Sequence, residues 1–119
     1  MAAFQYRRAR NSVNERIRYW GGREATRARL VRDGQQRVCV AARLEYTPRE
    51  RGLFEDGSSR ILIAGNSVTI PPDNELDLLL FAGKHYRIMQ VTGYRQGDDT
   101  VLYYDCNVVE CDAPQQGAS

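Results

Sequence analysis

One histidine and three cysteines are few chemical handles for a chain of 119 residues. With His85 as the only imidazole, a zinc site of two cysteines and two histidines cannot be built. Cys39, Cys106 and Cys111 are odd in number and irregular in spacing, so they fit neither a disulfide framework nor a zinc cluster. Cys39 and Cys106 lie inside apolar strand patterns and read as small buried thiols. Cys111 stands where the last pattern ends. No nucleophile motif accompanies His85. Gly21-Gly22 and Gly52 stand alone, without the surrounding motif that cradles a phosphate. Asp98-Asp99 belongs to a glycine-containing turn, which explains the pair better than acid–base work does. Asp73, Glu75 and Asp77 alternate at a strand entrance but lack the glycine and terminal glutamate of a calcium loop. The expectation is therefore no enzyme, no metal and no cofactor. Long apolar runs are missing too. None approaches the roughly 20 residues that span a bilayer, so no membrane partner is expected. The Arg-rich start lacks the apolar core of a secretory signal, which points to a protein made in a cytoplasm.

What is present is a small amphiphilic chain with uneven charge. A hydrophobic fraction of 42% supports one domain with a modest core. Residues 1–51 hold thirteen arginines and five acids, or +8, whereas residues 52–119 balance to −6. Every base in the first part is arginine, the side chain that forms bidentate contacts with phosphate or carboxylate. Two readings follow. Either one face meets nucleic acid and another meets protein, or the halves complement each other within a subunit or between neighbours.

Along the chain, residues 1–12 read as a flexible basic arm, with Phe4 and Tyr6 as apolar anchors. Residues 13–20 alternate imperfectly and predict a first strand. Residues 24–32 suit a short helix by propensity, but the Asp33-Gly34 turn favours a hairpin with 37–46 as its partner strand. Residues 47–59 form the longest irregular stretch, where Leu53 and Phe54 either fold back or touch a partner. A strand is expected at 60–65, continued by 68–70. Strands at 76–81, 86–93 and 100–109 then make a meander, with a bulge allowed near the middle of the second. Residues 113–119 have the composition of a flexible tail. Together these predict one mainly β domain: a small antiparallel β-barrel over residues 13–112, with the arm before it and the tail after it.

The segment ELDLLLFAGKHYRIMQVTGY, followed by VLYYDCNVVE, resembles the head-completion proteins of tailed bacteriophages, also called head-closure, stopper or head–tail joining proteins. The likeness covers roughly residues 60–112. It implies a small, mostly antiparallel β-barrel with long loops. It also implies a structural virion role at the neck: a homo-oligomeric ring, commonly of twelve copies, beneath the portal and adaptor. Such a ring attaches the tail and retains packaged DNA, touching it without reading bases. One loop of each subunit often projects into the channel. By position, that loop here is Pro48, Arg49, Glu50, Arg51, Gly52, Leu53, Phe54, Glu55, Asp56 and Gly57. Arg7, Arg8, Arg10, Arg16 and Arg18 are the candidate contacts to a neighbouring subunit or to DNA. Two alternatives stand beside this reading: a tail-terminator or tail-completion ring, and a small β-barrel that binds nucleic acid non-specifically.

Overall fold

The computed structural model describes residues 2–96 and 100–112, with side chains from Ala9 onward. The expected tail and the Gly97-Asp98-Asp99 turn lie outside the described residues. The chain opens with helix α1 (Ala2–Gly21) and a 3-10 turn (Gly22–Arg27). Strands β1 (Arg29–Arg32), β2 (Gln35–Val38) and β3 (Ala41–Leu44) follow, then a one-turn helix α2 (Pro48–Arg51). Strand β4 (Ser58–Ala64) and a 3-10 turn (Gly65–Ser67) lead to β5 (Leu78–Phe81), β6 (Lys84–Gln96) and β7 (Thr100–Cys111).

The seven strands form one antiparallel sheet in the order β2-β1-β5-β6-β7-β4-β3. The mainly β expectation holds. Closure as a barrel is looser than expected, because no ladder joins β2 to β3. These two edges are nevertheless halves of one run. Cys39 N–H donates to Ala28 O at 3.2 Å, extending the β1–β2 ladder. One residue on, Ala64 N–H donates to Val40 O at 2.8 Å, extending the β3–β4 ladder. The single strand predicted at 37–46 is thus bent at Cys39-Val40 and leaves one sheet edge for the other.

Alternation divides the strand residues between two faces. Leu30, Leu79, Tyr86, Ile88, Ile61, Ile63, Cys106 and Val108 fill the concave core. On the opposite face Val40, Ala42, Leu62 and Ala64 meet Ile17 of α1, with Val13 and Tyr103 at the margin. Helix α1 corrects the flexible arm at 1–12 over its described residues and the strand at 13–20, since Ala2–Gly21 is one helix. Val13 and Ile17 are four residues apart, which places them on one helical face. Burying an isoleucine there contributes about 2 kcal/mol. Gly21 permits the close approach at the end of α1. A Cβ there would lie 2.4 Å from Ala41 O.

Two tight turns fix register. Asp33 (φ 52) with Gly34 (φ 78), and Ala82 (φ 52) with Gly83 (φ 77), are two-residue hairpin turns with both central residues left-handed. The predicted bulge is at Met89, the extra residue where the register steps from Ile88 to Gln90. A second bulge, between Tyr94 and Arg95, leaves Leu102 as the extra residue on β7. The predicted strand at 68–70 is absent. Ser67 breaks it, its hydroxyl donating to Ala64 O at 2.7 Å and accepting from Val40 N–H at 3.0 Å. One end of the core is sealed by Asp77. Its buried carboxylate takes both forks of Arg32 at 2.9 Å and Nη2 of Arg37 at 2.8 Å.

Candidate interaction surfaces

The segment Pro48–Gly57 is more ordered than an irregular loop. Thr47 Oγ1 accepts from Glu50 N–H at 3.2 Å while Glu50 Oε1 accepts from Thr47 N–H at 3.0 Å. This reciprocal cap ties off the first turn of α2. A hydrogen bond from the Thr47 backbone N–H, and then one from the Thr47 side chain, hold the Glu50 carboxyl below the usual glutamate range. Phe54 folds back and stacks on Tyr46, ring centroids 4.6 Å apart, and Tyr46 in turn accepts a hydrogen bond from Asn107 at 2.8 Å. Leu53 does the opposite and is 78% exposed. Glu55 and Asp56 beside it are exposed and form no ion pair with another described residue. Arg51 is held by Glu45 at 3.0 Å.

Beneath this segment lies a cavity of about 160 Å³, lined by Glu50, Phe54, Arg60, Gln90, Tyr94 and Asp105 among others. Arg60 spans its floor, paired with Asp105 at 3.0 Å and Glu50 at 3.6 Å. Its charge is spent inside the molecule, so the cavity offers no free cation to an anionic ligand.

The predicted arginine contacts divide. Arg7 and Arg8 lie on α1, with side chains outside the described residues. Arg10 is half-buried, while Arg16 and Arg18 are exposed on the helix. Tyr19 is 85% exposed and Trp20, the sole tryptophan, 49%. Ser12, Glu15, Arg16, Tyr19 and Trp20 border an open depression of about 370 Å³. Arg23 and Arg27, exposed in the following 3-10 turn, extend the basic character of this end and were not singled out from sequence. Helical spacing was the missing signal for the depression, because it groups Ser12, Arg16 and Tyr19.

A third surface is the convex side of β2, β1 and β5. The register aligns Val38, Arg29, Leu80 and His85 in one row, and Gln36, Val31, Leu78 and Arg87 in the next. Val38 is 61% exposed there, and α1 lies over the other end of the sheet. Beyond Arg87, β6 has a strand neighbour on one side only, because β5 pairs with Lys84–Arg87 alone.

The acidic trio separates by role. Asp73 accepts from Glu75 N–H at 2.7 Å and Leu76 N–H at 2.9 Å, whereas Asp77 holds its two arginines. Among the described residues, no three His, Cys, Asp or Glu side chains converge on a point. Part of the charge asymmetry is settled within the subunit: Arg32 and Arg37 pair with Asp77 across the two halves of the chain. No helix among the described residues is long and apolar enough to cross a membrane.

Protein-family models, curated proteins and solved structures offer no match to this chain. Function is therefore argued from the surfaces themselves.

Proposed function

We propose that this chain is a structural ring subunit, of the kind that joins the head and tail of a tailed bacteriophage, closing the neck beneath the portal. The observation that carries the reading is the set of unlike exposed surfaces on one small domain. The basic and aromatic end of α1, the acidic Leu53 tip and the mixed aliphatic and basic convex sheet are chemically different from each other. A subunit that repeats head to tail needs two different faces that fit each other, whereas a two-fold dimer needs only one self-complementary patch. Within this reading, Pro48–Gly57 is anchored by its cap and by Phe54, which suits lateral contact better than free projection into a channel. The β6–β7 hairpin is the better element for projection. Its arms beyond Gly93 and Tyr103 are laddered only to each other.

The tail-completion ring belongs to the same class and uses the same argument. The nucleic-acid reading draws on Arg16, Arg18, Arg23 and Arg27 around two exposed aromatics. Electron microscopy and native mass spectrometry of the purified chain, at rising concentration, separate these classes. Closed rings of one stoichiometry are expected, with Trp20 emission shifting to the blue as its environment dries. A chain that stays monomeric and binds duplex oligonucleotide, with affinity falling steeply in salt, refutes the ring and supports the rival.

A further inference from the structure

Arg16 and Arg23 are exposed and make no ion pair with another described residue, and Tyr19 and Trp20 stand between them in sequence. Any partner that covers this ridge strips water from the guanidinium groups. It must return anionic groups to them and an apolar or stacking group to the rings. The chain carries such a partner on itself. Leu53 projects at 78% exposure, and Glu55 and Asp56 follow it, both exposed and likewise without an ion pair to a described residue. The tip is also pre-shaped. The Thr47–Glu50 cap and the Phe54–Tyr46 stack fix its base, so little ordering entropy is lost when it docks.

We propose that the Leu53-Glu55-Asp56 tip of one copy seats on the Arg16-Tyr19-Trp20-Arg23 ridge of the next. The contact is heterologous: each docked copy keeps one free ridge or one free tip, so it propagates head to tail. The proposal rests on the ring reading and specifies its lateral bond. One other match is weaker on the same surfaces. The convex sheet face presents Arg29 and Arg87 to any partner and offers the ridge no acid in those rows.

The test is a charge swap followed by sedimentation velocity. The ridge variant carries Arg16→Glu with Arg23→Glu, and the tip variant carries Glu55→Arg with Asp56→Arg. All four positions are exposed, so thermal melts matching the parent chain are expected and serve as the folding control. Each variant alone should raise the concentration of half-assembly at least about tenfold, because like charges then face each other. Mixing the two should restore assembly, since a reversed ridge fits a reversed tip and the unaltered faces fit each other. Parent-like assembly of either variant, or no rescue on mixing, overturns this contact and leaves the ring reading standing. A parent chain that stays monomeric at every concentration overturns both. Loss of duplex oligonucleotide binding in the ridge variant, without change in self-association, replaces the second copy with nucleic acid.

Discussion

Replacing Asp77 with asparagine removes one charge from the buried site that ties the entrance of β5 to β1 and β2. The Asp77 side chain is fully buried, and it accepts four hydrogen bonds: two from Arg32, one from Arg37 and one from Asp73 N–H at 2.9 Å. Removing one partner of a buried ion pair costs about 3–5 kcal/mol. Here both guanidiniums keep about a quarter of their side-chain surface exposed (25% and 24%), so water shares the interaction. The discounted loss is about 2–3 kcal/mol, or a fall in Tm of about 10 °C for a domain of this size. Acid supplies the sharper check. Burial alone would raise the Asp77 carboxyl, but Arg32, the Asp73 amide and Arg37 together bring it below its ordinary 3.8. A group depressed in the folded state stabilises above its unfolded pKa and loses that contribution as pH falls through the folded value. The gap between parent and Asp77→Asn should therefore be constant near neutrality and narrow below about pH 4. Urea unfolding followed by circular dichroism across this range measures it. Equal stability at neutral pH, or a gap that persists undiminished in strong acid, would refute the argument.

Three further outcomes follow from local geometry. Gly65→Ala places a Cβ 2.0 Å from Val101 O, a backbone atom that cannot swing away. The variant should lose about 3 kcal/mol, read by the urea midpoint. Ala82→Gly should gain about 0.5–1 kcal/mol in the same assay. It relieves a left-handed alanine, while the freer unfolded glycine returns part of the benefit. In thiol titration at mild alkaline pH, Cys111 alone should react in the folded protein. Burial pushes the Cys39 thiol up to about 12 and Cys106 also upward. All three should react in denaturant.

The strands with strong turn chemistry were legible in the sequence. Asp33-Gly34 announces a hairpin because few other dipeptides tolerate two left-handed residues, whereas at Ala82-Gly83 only the glycine does, and the bulge near the middle of β6 showed as a broken alternation. The bend at Cys39-Val40 was hidden. A continuous apolar run, Val38 to Ala42, passes through it, and only tertiary packing sends the two halves to opposite edges. Helix α1 was missed because Val13 and Ile17 are its main apolar contacts among the described residues, too few for a clear helical period. The neighbouring aromatics obscured the pattern further by pointing to solvent. Arg16 and Arg18 were picked out by composition alone. The grouping of Arg16 with Tyr19 and Trp20 needed the helix first. Of Leu53 and Phe54, only Phe54 folds back, while Leu53 turns outward.

The bent run from β2 to β3 also dictates a sequence of events as the polypeptide collapses. β6 and β7 are joined by a short connection and zip locally, whereas Leu30 reaches Leu79 and Leu62 reaches Asp105 only after long segments close. β2 can zip onto β1 through its two-residue turn, but that hairpin docks on β5 only after long segments close. Wrapping is thus the late step, and the meander is the nucleus. Substitutions in β6 and β7 should chiefly slow refolding, and those in β1 and β2 should chiefly hasten unfolding. The reverse pattern in stopped-flow kinetics would place the nucleus at the seam.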